Sequence, residues 1–195
     1  MRKSSFAALA LIGSVALVGA AVTPAMAADE NTVSNEAVTI EVEPGFIVIS
    51  APAAPVPLAS SAEGGLLYAG NDATATFPDI TVTDEKGGKA DWTATVALTD
   101  FIGTAATNPA DETISVTDAT YTPGAAVKDA TLGESTVAAS GVLTTLATTQ
   151  AQQSATLVSG NNSAVWTAVL SVPIPLSALA GSYTATLTHS LIPLS

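Results

Sequence analysis

VTDEKGGKADWTATVALTDF, residues Val82 to Phe101, places a polar stretch with two glycines directly before a strongly alternating one. From Trp92 the even positions read Trp, Ala, Val and Leu, while the odd positions are mainly Thr. Side chains on a β-strand point alternately to its two faces, so this pattern predicts a strand with one apolar and one hydroxylated face. The whole stretch therefore predicts a strand, a turn at Glu85–Ala90 and a second strand.

The same period-two alternation recurs along the chain, separated by Gly, Pro and Asn turn signals. Many short strands with such punctuation predict an all-β fold, a single-domain β-sandwich of antiparallel strands that is Ig-like in general architecture. The Ala/Pro run APAAPVPL is interpreted as a strand-end connection, and residues 127–159 fit strands, a short helix around Leu143–Gln153 or a loop. The predicted inward positions are Val38, Ile40 and Val42; Ile80 and Val82; Ile114 and Val116; Trp166, Ala168, Leu170, Val172 and Ile174; and Tyr183, Ala185, Leu187, His189 and Leu191.

The N-terminus has the three parts of a secretory signal peptide. Two basic residues, Arg2 and Lys3, precede an apolar stretch that ends in Ala25-Met26-Ala27. We therefore predict a signal peptide over residues 1–27, cleavage between Ala27 and Ala28, and a secreted mature domain over residues 28–195. An uncleaved transmembrane anchor is the alternative, but it requires a longer apolar span.

Composition narrows the classes of partner. Without the signal peptide, the chain has 17 acidic residues and three lysines, so its net charge is −14. Nucleic acids and anionic lipids are bound mainly through Lys and Arg, so both are excluded as expected partners. The chain has no cysteine, which excludes disulfides and thiolate chemistry, and no second apolar span predicts a transmembrane segment in the mature chain.

The sequence carries no catalytic motif and predicts a protein that is not an enzyme and has no cofactor. His189 is the single histidine, and although a Ser-His-Asp arrangement stays open, no Gly-x-Ser-x-Gly elbow accompanies it. No metal site is predicted, since the nearest calcium candidates lack ligand spacing and are interpreted as surface charge. Those candidates are Asp84, Glu85 and Asp91, and Asp111 with Glu112.

The aromatic residues allow two interpretations. Trp92, Trp166 and Tyr183 could form a platform that stacks on sugars, but each shares a face with Ala, Val and Leu. A core position is therefore the preferred interpretation for these three. Tyr68 and Tyr121 have no clear strand face and stay unassigned.

Two segments carry a resemblance to a known family. TDEKGGKADW is similar to the T-D-x-R-G-x-x-x-G-W segment, and AGSYTATLTHSL to the A-G-x-Y-x-x-x-L-T-W-x-L strand, of the WxL domains of Gram-positive cell-surface proteins. The resemblance runs from about Pro44 to the end. The two Trp-x-Leu positions fall on Trp92-Thr93-Ala94 and His189-Ser190-Leu191, so the first has Ala94 for Leu and the second has His189 for Trp. The chain resembles a divergent, actinobacterial-like member.

The resemblance implies a secreted, non-enzymatic domain that associates non-covalently with peptidoglycan, often beside other cell-surface proteins. It makes Trp92, Ala94, His189 and Leu191 candidate wall-binding or core positions, while the alternation favours the core. His189 is then interpreted as a hydrogen-bonded core histidine. The alternative function is a protein-binding or self-assembling, adhesin-like module that uses exposed strand edges.

Overall fold

The protein is described here from a computed structural model, which covers residues 40–52, 55–60, 66–104 and 112–194. The predicted cleavage site at Ala27 and Ala28 lies outside the described residues, as does Asp111. The chain divides into two units, Met1–Ile40 and Glu41–Ser195, and all the elements described below belong to the second.

The described residues form an all-β fold, as the alternation predicts. Long strands with inward apolar positions dominate, and most of the short strands lie beside them. The strands are β1 Ile47–Ser50, β2 Ala59–Ser60, β3 Asp72–Asp84, β4 Trp92–Leu98, β5 Phe101–Gly103, β6 Thr113–Ile114, β7 Thr120–Pro123, β8 Val127–Lys128, β9 Glu134–Ala139, β10 Gln150–Ser159, β11 Asn162–Pro173, β12 Tyr183–Thr184 and β13 Leu187–Pro193.

Two antiparallel sheets form a β-sandwich. The first has the order β1-β3-β11-β7, with β2 also paired to β3 and β8 to β11. The second has the order β13-β4-β10-β9. A small third sheet, β12-β5-β6, is formed by segments that follow β4 and precede β13. The predicted antiparallel sandwich is confirmed.

The core lies between the inward faces of the two main sheets. Trp92, Ala94, Val96 and Leu98 of β4 are buried, as the even-position pattern predicts. Burying large apolar side chains contributes about 1.5–3 kcal/mol each, so these alternating faces supply the main stabilisation of a chain without disulfides. The facing sheet contributes Ile80, Val82, Tyr121, Ala164, Trp166, Ala168, Leu170 and Val172.

The opening stretch connects the two sheets. β3 belongs to the first sheet and β4 to the second, so Glu85–Ala90 carries the chain across the sandwich and does not close a hairpin. Gly87 has φ 65°, a conformation that glycine adopts without steric cost. The predicted strand, turn and strand are confirmed.

The pairing of the long strands has three register shifts, in β3 against β11 and in β10 against both β4 and β9. In β3, Pro78 and Asp79 lie between the paired residues Phe77 and Ile80, and Asp79 has φ 55°. Proline has no N–H to donate and Asp tolerates this φ, so the sequence suits a bulge at this point. In β10 the register shifts between Ala151 and Gln153, which leaves Gln152 as the extra residue.

Three sequence-based predictions need correction. Ile40 and Val42 are exposed and do not belong to a strand, while Val38 lies outside the described residues. SYTATLTHSL is not one strand, because the chain leaves the sheet at Ala185 and Thr186, between β12 and β13. TISVT forms a strand only at Thr113–Ile114, although Ile114 and Val116 are both buried.

Residues 127–159 and the Ala/Pro run are the two segments for which the sequence allows more than one interpretation. Residues 127–159 contain β8, β9 and β10, with a turn and an isolated bridge from Leu143 to Tyr121 in place of the considered helix. The described part of the Ala/Pro run joins β1 to β2, as predicted.

Candidate functional site

The two Trp-x-Leu positions, Trp92-Thr93-Ala94 and His189-Ser190-Leu191, lie on neighbouring strands. Each keeps one of the two motif residues, and they are called the half-kept motifs below. β13 pairs with β4 so that Leu191 is opposite Ala94 and His189 is opposite Val96. Directly opposed residues of an antiparallel pair point to the same face, and here that face is the core. The large Leu191 side chain, which is half-buried, thus lies beside the small, fully buried Ala94.

Trp92 is anchored by a buried polar network, here called the Asn162 network, of Trp92, Asn162 and Asp84. The indole Nε1–H of Trp92 donates to Asn162 Oδ1 at 3.0 Å, and Asn162 Nδ2 donates to Asp84 Oδ2 at 3.0 Å. The backbone N–H of Lys86 donates to Asp84 Oδ1 at 3.0 Å. Asn162 and Asp84 are direct register partners on β11 and β3, so the two strands hold the network in place.

Gly133 supports the connection that positions Asn162. Its N–H donates to Asn161 O at 2.6 Å, and a Cβ added to Gly133 would lie 2.9 Å from that oxygen and in still closer contact with Ser159 O. No side chain fits between these two backbones.

A second polar network, here called the Gln152 network, joins both sheets through Gln152, Trp166, Tyr121 and His189. Tyr121 Oη–H donates to Gln152 Oε1 at 2.8 Å, and Trp166 Nε1–H donates to the same oxygen at 3.3 Å. Gln152 Nε2 donates to the backbone oxygen of Thr95 at 2.9 Å and lies 3.0 Å from His189 Nδ1. All the amide's hydrogen-bonding positions are used.

The bulge in β10 explains how a glutamine reaches the core. In regular alternation only one of two consecutive residues points inward, but Gln152 and Gln153 are both fully buried. The extra residue shifts the alternation by one position and turns both side chains inward. Gln153 uses its own Nε2 to donate to Gly124 O at 2.7 Å.

The partners of Gln152 determine the tautomer of His189. An indole N–H only donates and a backbone carbonyl only accepts, so Trp166 and Thr95 fix which end of the amide is Oε1 and which is Nε2. The amide N–H therefore faces His189 Nδ1, which has to accept. The neutral ring then carries its proton on Nε2.

His189 is held in the neutral form. Burial lowers the pKa of His189 to about 4, and a proton on Nδ1 would place two donors against each other. Its Nε2 is buried and has no hydrogen-bond partner among the described residues. Burial also raises the pKa of Tyr121 above its usual range, so the phenol keeps its proton and donates to Gln152.

The other aromatic candidates are spread over the molecule. Trp166 is buried, as its strand face predicts, and Tyr121, which the sequence leaves unassigned, is fully buried beside the His189 ring at a centroid distance of 6.2 Å. Tyr183 is half-buried and donates from Oη to Leu179 O at 2.9 Å. Tyr68 is 63% exposed. The described structure brings Trp166 and Tyr121 together in the core and leaves Tyr68 on the surface.

A cleft of about 450 Å³ that is lined mainly by apolar side chains, here called the His189 cleft, lies beside the Gln152 network. The Ala/Pro run, β3, β4, β11 and β13 all contribute to its walls. Among the described residues His189 and Thr186 are the only lining residues with polar side chains. The walls include Pro52, Val56, Phe77, Leu98 and Leu187.

A surface with more polar side chains, here called the threonine groove, comprises Thr99, Asp100, Thr184, Thr186 and Thr188. It consists of two adjoining depressions of about 420 and 280 Å³ that share Thr99, Asp100 and Thr186. Asp100 Oδ1 accepts the backbone N–H of Val116 at 2.8 Å, which fixes its carboxylate at the edge of the groove.

The acidic candidates do not converge in the described part of the chain. Asp84 is buried in the Asn162 network, and Asp91 Oδ1 accepts the N–H of Val158 at 3.3 Å. No group of three His, Asp or Glu side chains among the described residues is placed to hold a metal ion. Nor do those residues include a helix with the length and apolar character needed to cross a bilayer.

Sequence reasoning missed the carboxamides that organise both networks. Gln152 lies in the segment with several interpretations, and its only signal is the pair of adjacent glutamines in AQQSA, which breaks the alternation. Gly160-Asn161-Asn162 is one of the turn signals between the alternating segments, but Asn162 begins β11 and is buried. Its signal is the asparagine directly before an alternating apolar strand.

No protein-family model matches the chain, and no curated protein matches it.

Proposed function

We propose that the chain is a secreted cell-surface protein whose sandwich associates non-covalently with cell-wall peptidoglycan and performs no catalysis. The observation that carries this proposal is the pairing of the two half-kept motifs, with Leu191 opposite Ala94 on adjacent strands. Segments almost 100 residues apart in the chain thus act as one structural unit, which supports the WxL-like interpretation of their order.

The motif residues Trp92 and Ala94 support the fold and do not offer a binding surface. Trp92 and Ala94 are fully buried, so neither reaches a glycan in the folded protein. Aromatic stacking on sugars requires an exposed ring face, which Trp92 does not provide. A wall contact is therefore made elsewhere on the surface.

The threonine groove is the surface that best suits a glycan. Hydroxyls donate and accept, and a carboxylate accepts, so together they match the hydroxyl and amide groups of a sugar chain. Thr184 and Thr188 are exposed, whereas Thr99 Oγ1 already accepts the N–H of Thr186 at 2.9 Å. Thr184 and Thr188 are thus free to change without loss of a described hydrogen bond.

Co-sedimentation with purified peptidoglycan tests the proposal. The mature chain should sediment with the sacculi, and a Thr184→Ala, Thr188→Ala variant should bind about 10-fold more weakly, since each neutral hydrogen bond contributes about 0.5–1.5 kcal/mol. The matched control is Thr156→Ala with Thr167→Ala, two exposed threonines on β10 and β11. Full recovery of the wild type in the soluble fraction, at every salt concentration and pH, would contradict wall binding.

A second candidate function is self-assembly or protein binding by strand addition. β9 and β13 are the ends of the second sheet, and an end strand has backbone groups free to pair with another chain. Three of the last four residues of β9 are exposed. Light scattering after size exclusion should then give an oligomer that Val137→Pro on β9 dissociates, and a monomer at all concentrations would contradict self-assembly.

A further inference from the structure

The His189 cleft combines three properties of small-molecule sites. It is concave, its volume of about 450 Å³ lies within the usual 300–1,000 Å³ range for ligand pockets, and most of its lining residues have apolar side chains. Such sites typically add a few polar groups that orient the ligand. His189 is the candidate for that group, because it contributes to the wall and its buried Nε2 has no hydrogen-bond partner among the described residues.

The hydrogen bonds of His189 leave one of its two nitrogens for a ligand. Nδ1 is engaged by Gln152, which Trp166, Tyr121 and Thr95 hold in a fixed orientation. Nε2–H has no described partner, and leaving a buried donor unpaired costs about 1–3 kcal/mol. A ligand oxygen that accepts this hydrogen bond recovers that cost.

The charges around the cleft favour an uncharged ligand. No acidic or basic residue is among the described lining residues besides neutral His189. The net charge of −14 without the signal peptide repels anions, and no fixed cation in the wall compensates a carboxylate. A buried ionised group without a partner carries a large desolvation cost.

We propose that the His189 cleft binds an uncharged, largely apolar small molecule whose carbonyl, ester or ether oxygen accepts a hydrogen bond from Nε2–H of His189. The apolar part of the ligand packs against Val56, Phe77 and Leu187. Because Nε2 is buried, the ligand oxygen reaches it only when the side chains that cover it move aside. This site does not depend on wall binding. It uses Nε2, the ring nitrogen that does not contact Gln152, and none of the threonines changed in the sedimentation test lines the cleft.

Nuclear magnetic resonance on the single histidine tests the site directly. The chain has one histidine, so ¹⁵N-histidine labelling of the mature protein gives one imidazole, His189. Titration with methyl octanoate should shift the Nε2 nitrogen and its proton saturably, with the proton moving downfield. Octanoate, which has the same chain with a negative charge, should bind at least 10-fold more weakly at pH 7.

A donor-deleting variant separates the hydrogen bond from apolar contact. His189→Phe keeps an aromatic ring but has no donor, and should bind methyl octanoate about 3- to 10-fold more weakly by tryptophan fluorescence or calorimetry, the loss of one neutral hydrogen bond. Ser190→Ala, an exposed neighbour on β13, is the matched control and should bind as the wild type does. If His189→Phe does not fold, the wild-type titration alone decides.

Three results would overturn the proposal. One is an Nε2 signal that stays unchanged up to the solubility limit of methyl octanoate, which indicates a cleft that holds water only. Another is equal affinity for the ester and for octanoate. The last is an unchanged affinity of a folded His189→Phe variant for the ester.

Discussion

Trp92 and Trp166 are anchored in the same way, but the two networks that hold them end differently. Each indole N–H donates to a buried carboxamide oxygen, on Asn162 and on Gln152. The Asn162 network ends on the Asp84 carboxylate. One oxygen of this carboxylate accepts from Asn162 and the other accepts the backbone N–H of Lys86. The Gln152 network ends on His189, a residue that lines the His189 cleft and whose Nε2 is buried and unpaired.

The difference separates a structural role from a candidate binding role. A closed buried network stabilises one arrangement of strands and has no group left for a ligand. An open network has the same anchoring at its inner end and a free donor at its outer end. In this sandwich Trp92, the motif tryptophan, belongs to the Asn162 network, which is closed. His189, which stands where the second motif has Trp, belongs to the Gln152 network, which is open.

The largest effect is expected at Gln152. Gln152→Ala removes the partners of Tyr121, Trp166, Thr95 and His189 at once and leaves a cavity, so we expect the free energy of unfolding to fall by about 4 kcal/mol. Urea unfolding followed by tryptophan fluorescence measures it. Gln150→Ala on the same strand, whose amide bonds only Thr148, should cost under about 1 kcal/mol. An equal decrease in the free energy of unfolding for the two variants would show that the hydrogen bonds of Gln152 do not stabilise the core.

A smaller loss is expected in the closed network. Asn162→Ala leaves the Trp92 N–H and one Asp84 oxygen without their partner in the core, and should lower the free energy of unfolding by about 3 kcal/mol. Asn161→Ala, at the exposed neighbouring position, is the control and should change it by less than about 0.5 kcal/mol. If both asparagines gave the same small change, the Asn162 network would not anchor Trp92.

The pH dependence of stability distinguishes the networks further. Because the pKa of His189 is lowered from 6.5 to about 4 in the folded protein, the unfolded chain takes up a proton first as the pH falls. The stabilisation by neutral His189 is complete above about pH 6.5 and is lost between pH 6.5 and 4. We expect a loss of about 2 kcal/mol over this window, allowing for partial exposure of the ring.

His189→Gln isolates this contribution from that of the many carboxylates. Glutamine does not titrate, so the difference in unfolding free energy between wild type and variant should change by the same amount between pH 7 and pH 4.5. A difference that stays constant with pH would show that His189 titrates normally in the folded protein.

The local alternation of residues is sufficient to predict which face of each strand is buried. It is not sufficient to predict the two hydrogen-bond networks. The burial of Trp92 and Trp166 follows from alternation within each strand, which is a property of neighbouring residues. The inward turn of Gln152 depends on a bulge, and a bulge depends on the register between β10 and β4. No local pattern carries that register.

The same reason explains the missed contacts and the broken strand. Gln152 and His189 are 37 residues apart, and Trp92 and Asn162 are 70 apart, so each pair is brought together only by the order of strands in the sandwich. SYTATLTHSL alternates throughout, yet its two halves pair with different sheets. Periodicity gives the face of a residue but not its neighbour across the core.

The protonation state of His189 can be measured by nitrogen magnetic resonance on its single imidazole. The Gln152 network holds this imidazole neutral, with its proton on Nε2. In ¹⁵N-histidine-labelled protein at pH 6, we expect a neutral ring whose Nε2 is protonated and whose Nδ1 is not, and Gln152→Ala should weaken this preference. A proton on Nδ1, or an imidazolium at pH 6, would contradict this expectation.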